Sequence, residues 1–173
     1  EYVVVSNLPY NVATPILQML VSGTTRPSRI IAMTQKEVAV RMASRAPNMS
    51  FLSIVMQWYA EIKLLFDVQP DSFTPKPKVV STVMELRPKP FSQLPEGNQE
   101  EVFRLAKHGF SQKRKKLANN LSHALTIPKN VVEKLLVDQG LGFDVRAEAL
   151  TIEDWLVLAK KIESYQKEGR NAT

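Results

Sequence analysis

Through residue 86 the chain alternates short β-branched runs with stretches of helical period, and beyond a proline-rich break only the helical period remains. That order restricts the fold to an α/β sheet followed by an all-helical part. Tyr2 to Ser6 reads as a buried strand, Arg29 to Gln35 as a second. Between them Thr14 is the expected helix cap, with Pro15 at the first helical position and Gly23 as the stop. Lys36 to Ser44 and Phe51 to Tyr59 read as helices. Glu61 to Val68 is predicted as a strand with Ile62, Leu64, Phe66 and Val68 on one side, and Val79 to Leu86 as a fourth. No helix separates these last two, which predicts an antiparallel pair at one edge of a doubly wound sheet.

Pro88, Pro90, Pro95 and Gly97 mark a linker over 88–97. Beyond it Val102, Leu105 and Ala106 lead to Phe110, and Leu117, Leu121 and Leu125 follow at four-residue steps. Pro128 opens a short helix carrying Val132, Leu135 and Leu136, and Gly140-Leu141-Gly142 reads as its stop. Thr151 with Asp154 predicts a capping box for the last helix, whose buried stripe is Ile152, Trp155, Leu156, Ala159 and Ile162. The expected domains are residues 1–87, a partial sheet, and 98–166, helical, with a frayed tail over 167–173. The chain opens at Glu1 directly in strand-like sequence, which reads as the mark of a fragment.

An apolar fraction of 44% and a charged fraction of 23% are those of a globular rather than a disordered chain. No apolar run nears the roughly 20 residues of a membrane span. With no cysteine in the sequence, disulfides and cysteine-ligated metals are excluded, and the default compartment is the cytoplasm. A net charge of +6 favours a polyanionic partner.

Three constellations carry chemistry. Asn7-Leu8-Pro9-Tyr10 follows the first strand and gathers an amide, backbone carbonyls and an aromatic ring. Acceptors at the Asn7 side chain and the Leu8 carbonyl would localise the lone pair of an adenine amine. Pro9 stiffens the turn and Tyr10 offers a stacking face. The plainer alternative is an ordinary strand-to-helix turn. In Phe73-Thr74-Pro75-Lys76-Pro77-Lys78 two prolines force an extended backbone, Lys76 and Lys78 can flank phosphates, and Phe73 can stack on a base or lie in the core. The run Lys113-Arg114-Lys115-Lys116, near Lys107, would cover most of a helix circumference, as phosphate contacts or as a solvated surface. His108 and His123 read as structural, Trp58 and Trp155 as core, and no metal site is expected.

In order along the chain stand Asn-Leu-Pro-Tyr-Asn, then Gln35-Lys36-Glu37-Val38-Ala39-x-Arg41, Leu52-Ser53 and Phe73-x-Pro75-x-Pro77-Lys78-Val79-x-Ser81. Phe110-Ser111-Gln112-Lys113-Arg114-Lys115-Lys116-Leu117 with Asn120-Leu121, and Arg146-Ala147-Glu148-x-Leu150, follow. As a set these resemble the ribosomal RNA small-subunit adenine N6,N6-dimethyltransferase family (KsgA-type). The implied fold is the C-terminal half of a Rossmann-like class I methyltransferase sheet followed by a small all-helical domain. The resemblance implies dimethylation of two adjacent adenines near the 3′ end of small-subunit (16S) rRNA during ribosome assembly, with S-adenosylmethionine as donor. It assigns Asn7, Leu8, Pro9 and Tyr10 to catalysis and Tyr10 and Phe73 to a base sandwich. Asn7 and Pro9 would border the cofactor, and Lys76, Lys78, Lys107, Lys113, Arg114, Lys115 and Lys116 would contact rRNA. The family's glycine-rich turn is not matched, as only Gly23 precedes Gly97, so the chain alone is expected to be inactive. A Ser50-Phe51 pair stands where the family carries Gly-Arg. The alternatives are a non-catalytic RNA-binding assembly protein and a large-subunit rRNA adenine dimethylase.

Overall fold

Strands β1 (Val3–Asn7), β2 (Arg29–Gln35), β3 (Ala60–Val68) and β4 (Ser81–Pro88) form one sheet, in the spatial order β1-β2-β4-β3. The computed structural model describes residues 1–171, with side chains as far as Glu168. β1 and β2 are parallel and joined through helix α1 (Ala13–Ser22), whereas β4 is antiparallel to both of its neighbours. The expected β3–β4 pair is therefore present, but the last strand lies inside the sheet and β3 takes the edge.

Alternation along the strands divides the sheet into two unequal faces. On one, Ile30, Ala32 and Thr34 of β2 stand opposite Leu86, Met84 and Thr82 of β4, all at most 2% exposed. Helix α2 (Lys36–Ala43) packs against β2, β3 and β4, and α3 (Phe51–Tyr59) adds the buried Ile54, Met56 and Trp58. The other face carries Val3 and Val5, 55% and 77% exposed, so β1 is an exposed edge and not the buried strand its composition suggested. A run of valines signals β-propensity; it does not say how many neighbours the strand will have.

Two local readings are corrected. β3 has a bulge between Leu64 and Phe66: Leu64 pairs with Met84 but Phe66 with Val83, so Phe66 and Val68 lie on the opposite face from Ile62 and Leu64. An extra residue in an edge strand reverses the alternation, and nothing in the strand's composition marks it. In α1 the N-cap is Val12 and Thr14 lies inside the helix. A turn in which Val12 N–H donates to the Pro9 carbonyl (3.1 Å) starts the helix early. Pro15, as the third helical residue, still removes only a donor that would have no intrahelical partner.

The chain divides into two compact units, Glu1–Ser44 with Leu52–Leu94, and Arg45–Phe51 with Pro95–Thr173. Most of the segment expected as a free linker is fastened to the first unit. Pro88 ends β4, the Lys89 N–H donates to the Tyr59 carbonyl (2.7 Å), and the Arg26 guanidinium lies 3.7 Å from the Phe91 ring centroid. Conversely, Met49 N–H donates to the Glu148 carbonyl at 2.9 Å, which ties 45–51 to the helical unit.

That unit holds α4 (Gln99–Gly109), α5 (Leu117–Leu125), α6 (Lys129–Val137) and α7 (Ile152–Asn171) around Leu105, Leu117, Leu121, Leu136 and Trp155, all fully buried. The predicted Thr151–Asp154 box is formed in both directions, with Asp154 N–H on Thr151 Oγ1 at 3.1 Å and Thr151 N–H on Asp154 Oδ2 at 2.9 Å. Gly140, at φ +82°, ends α6 as read, with Leu141 N–H reaching back to the Leu136 carbonyl. Instead of fraying at Lys167, α7 runs on through it, where Lys167 pairs with Glu163 one turn back; Ala172 and Thr173 lie outside the described residues. Residues 110–116 are not helical, so the expected continuous stretch is two helices joined by a loop. At its start Gly109 has no room for a side chain: a Cβ there would stand 2.5 Å from the Trp155 ring and 2.9 Å from Leu117. Gly109→Ala should therefore overpack the core and lower the unfolding free energy by about 1–3 kcal/mol in urea denaturation. Wild-type stability in that variant would mean that Trp155 is free to move aside.

Candidate functional site

Because β1 and β2 are parallel, their carboxyl ends open at the same edge of the sheet, where ligands of open α/β sheets bind. Asn7 is the last residue of β1, paired with Met33 and exposed. Leu8 turns inward, 7% exposed, and its N–H donates to the Met33 carbonyl at 3.3 Å. Pro9 is exposed and its carbonyl closes the turn into α1. Tyr10 is half-buried, its hydroxyl 2.7 Å from Ser81 Oγ.

The second wall comes from the loop between β3 and β4. A single 3-10 turn, Pro70–Ser72, delivers Phe73 half-buried, and the chain continues through the cis Thr74–Pro75 peptide. Asn7, Leu8, Pro9, Tyr10, Phe73, Pro75 and Pro77 line one cleft of about 300 Å³. The structure thus brings together the two constellations that lie 63 residues apart in sequence. It adds Pro75 and Pro77, which the sequence offered only as backbone stiffeners, and Ser81, which it offered as a motif letter without a role.

Ser81 is fully buried at the start of β4 and is held from several sides. It pairs with Gln35, and next to it the Val80 carbonyl accepts from Lys36 N–H at 3.0 Å. Thr82 Oγ1 donates to Asp67 (2.6 Å), which also takes the Lys36 ammonium at 2.6 Å. These bonds from Lys36 and Thr82 hold the Asp67 carboxyl below its usual pKa. Deeper along the same strand, burial would raise the Glu85 carboxyl, but Arg87 and Arg29 beside it bring it below the usual range.

The basic residues are more varied than the sequence implied. Lys76 and Lys78 are exposed on the loop of the cleft, and Lys76 pairs with Asp71. Lys107 is exposed in the last turn of α4. Lys113, Arg114 and Lys115 are exposed on the α4–α5 loop and not on a helix, while Lys116 is half-buried with its ammonium 4.8 Å from the Phe143 centroid. Asn120 from α5 donates to the Gly109 carbonyl at 2.6 Å and to the Gln112 carbonyl at 3.1 Å. Those bonds hold the backbone of the turn that follows α4. Among the described residues no group of three His, Asp or Glu side chains is placed to hold a metal, and no helix is long and apolar enough to cross a membrane.

Residues 1–164 match the family model of ribosomal RNA adenine dimethylase. The chain belongs to that family. Among its curated relatives, the ribosomal RNA small subunit methyltransferase A of Rhodospirillum rubrum is 39% identical over 163 residues, covering 93% of this chain and 54% of its own. That of Synechocystis is 37% identical over 169 residues, 94% of this chain and 58% of the relative. The chain therefore spans between half and three fifths of the length of these dimethylases. A dimethyladenosine transferase from Plasmodium falciparum superposes with a TM-score of 0.77 at 26% identity, covering 94% of this chain and 67% of that one. The 23S rRNA methyltransferase ErmE, at 21% identity and a TM-score of 0.67, shares the Rossmann-like methyltransferase fold.

Beside the cleft, the bond between Tyr10 and Ser81 gives a direct check. Ser81→Ala and Tyr10→Phe should each lower the unfolding free energy by about 0.5–1.5 kcal/mol. The double variant should lose little more than either single one, because both remove the same bond. Additive losses would show that the two hydroxyls act independently.

Proposed function

We propose that the chain is the base-holding and rRNA-docking portion of an S-adenosylmethionine-dependent adenine N6-dimethyltransferase of the small ribosomal subunit. The observation that carries this reading is the shared cleft, in which an exposed amide, a turn of backbone and two aromatic rings face the same space. Family membership and the small-subunit names of the relatives support the substrate class.

An adenine entering the cleft leaves its stack, at a cost of a few kcal/mol that stacking on Tyr10 and Phe73 offsets. The Asn7 side-chain oxygen and the Leu8 carbonyl accept from the exocyclic amine and turn its lone pair out of conjugation with the ring. Asn7 and Pro9 lie at the carboxyl end of β1, where they would border the donor. S-adenosylmethionine supplies an electrophilic methyl group on a sulfonium. With that donor bound, the amine held by Asn7 and Leu8 would take the methyl group as the C–S bond breaks, and its proton would pass to solvent. Holding the two reactants in line accounts for most of the rate. Leu8, buried and tied to β2, keeps the loop from moving as the base arrives. Exposed Lys113 and Arg114 hold phosphates, which positions rRNA without reading its sequence.

Two experiments test the reading. In the full-length protein, Asn7→Ala should reduce methyl transfer to unmethylated small-subunit particles by about a hundredfold or more. Activity within a few-fold of wild type would remove the amine-holding role. Charge reversal of Lys113 and Arg114 should weaken particle binding and make its logarithmic salt dependence shallower by roughly one to two. Melting should be unchanged, because both side chains are exposed. An unaltered salt slope would show that neither residue meets a phosphate.

A further inference from the structure

His108 and His123 are fifteen residues apart and read as unrelated structural residues, yet the fold sets them on one cavity. It measures about 530 Å³ and lies wholly in the helical unit, between the end of α4, the α4–α5 loop and the outer side of α5. Ser111, Gln112, Lys115, Asn119 and Asn120 complete its polar lining.

Three properties decide what this cavity suits. Its lining presents donors from two imidazoles, the Gln112 and Asn119 carboxamides, the Ser111 hydroxyl and the Lys115 ammonium, besides the Asn120 amide already bonded within the chain, and no carboxylate is among the residues that line it. That balance favours an anion. At about 530 Å³ the space exceeds what a bare phosphate fills and lies within the range of small-molecule sites. Its flat groups, the two imidazole rings, can stack on a base, and the carboxamides can both donate to and accept from a base edge. The shape is also built: the buried Asn120 amide is spent on the Gly109 and Gln112 carbonyls, which holds the loop that forms one wall.

We infer that this cavity takes one unstacked nucleotide of RNA, with its base against His108 and His123 and its phosphate at Lys115. The inference rests on the reading that the helical unit meets rRNA, but concerns a site separate from the adenine cleft. It differs from the exposed cations Lys113 and Arg114, whose contacts need only a phosphate chain.

The test uses the 173-residue chain and adenosine, guanosine, cytidine and uridine 5′-monophosphates, with inorganic phosphate as the control. Ring-proton signals of His108 and His123, assigned by single His→Gln substitutions, are followed by NMR during titration. The expected result is saturable shifts of both histidines by at least one mononucleotide, with phosphate alone at least fivefold weaker. His123→Ala and Asn119→Ala should weaken a single-stranded RNA oligonucleotide at least fivefold without altering the circular-dichroism melt. Asn7→Ala should leave the histidine shifts intact, so failure of the adenine cleft and failure of this site are separately visible. Shifts with phosphate equal to those with nucleotides would overturn the nucleotide assignment. Histidine signals that no mononucleotide moves, or RNA binding indifferent to both substitutions, would overturn the site.

Discussion

The antiparallel pairing of β4 with β2 is the constraint on which the cleft depends. Its register sets Ser81 opposite Gln35, at the edge where β1 delivers Tyr10, and so brings two hydroxyls 71 residues apart within a hydrogen bond. A slip of one residue would turn Ser81 to the other face and leave Tyr10 against a different side chain. The register is fixed by what it buries: Leu86, Met84 and Thr82 face Ile30, Ala32 and Thr34, and a slip would turn the apolar residues toward water. The chemistry of the turn after β1 is therefore held in place by core packing on the opposite face of the sheet. Lys36, Asp67 and Thr82 add a polar brace at the end where the core thins out.

What could be read from the sequence was whatever a short window contains. The strand at Arg29–Gln35 and the helix at Phe51–Tyr59 stand where pattern placed them, and the Thr151–Asp154 box has only local parts. The two halves of the cleft were legible singly, as Asn7–Tyr10 and Phe73, because each carries its own chemistry. Their meeting was implied only by the family resemblance, because it depends on the position of β4 between β2 and β3, which no window holds. The bulge beside Leu65 escaped for a related reason: its signature is the pairing partner, and both readings of the strand have the same composition. The basic run was misplaced on a helix because it stands directly between two apolar helical patterns, one ending at Phe110 and one starting at Leu117, while Asn120, whose amide holds the turn after the first, lies further along the chain.

The exposed side of β1 follows from the same sheet order. Val3 and Val5 are exposed on their face of the sheet, and, among the described residues, the free edge of β1 leaves its backbone groups open to pairing. For this chain in isolation, solubility rests on the charged surface elsewhere, since neither a bulge nor a proline interrupts that strand.

The bonds from Asn120 have a consequence for how the basic loop meets an anion. A loop held at both Gly109 and Gln112 has already lost most of its backbone freedom before anything binds. Ordering costs that accompany capture by a flexible cationic tail are thereby largely absent. If the loop docks rRNA as proposed, it would do so as a template ordered in advance, and discrimination between polyanions would fall to how well each one's phosphate spacing fits its charges. A partner that must bend to match it bears the deformation itself.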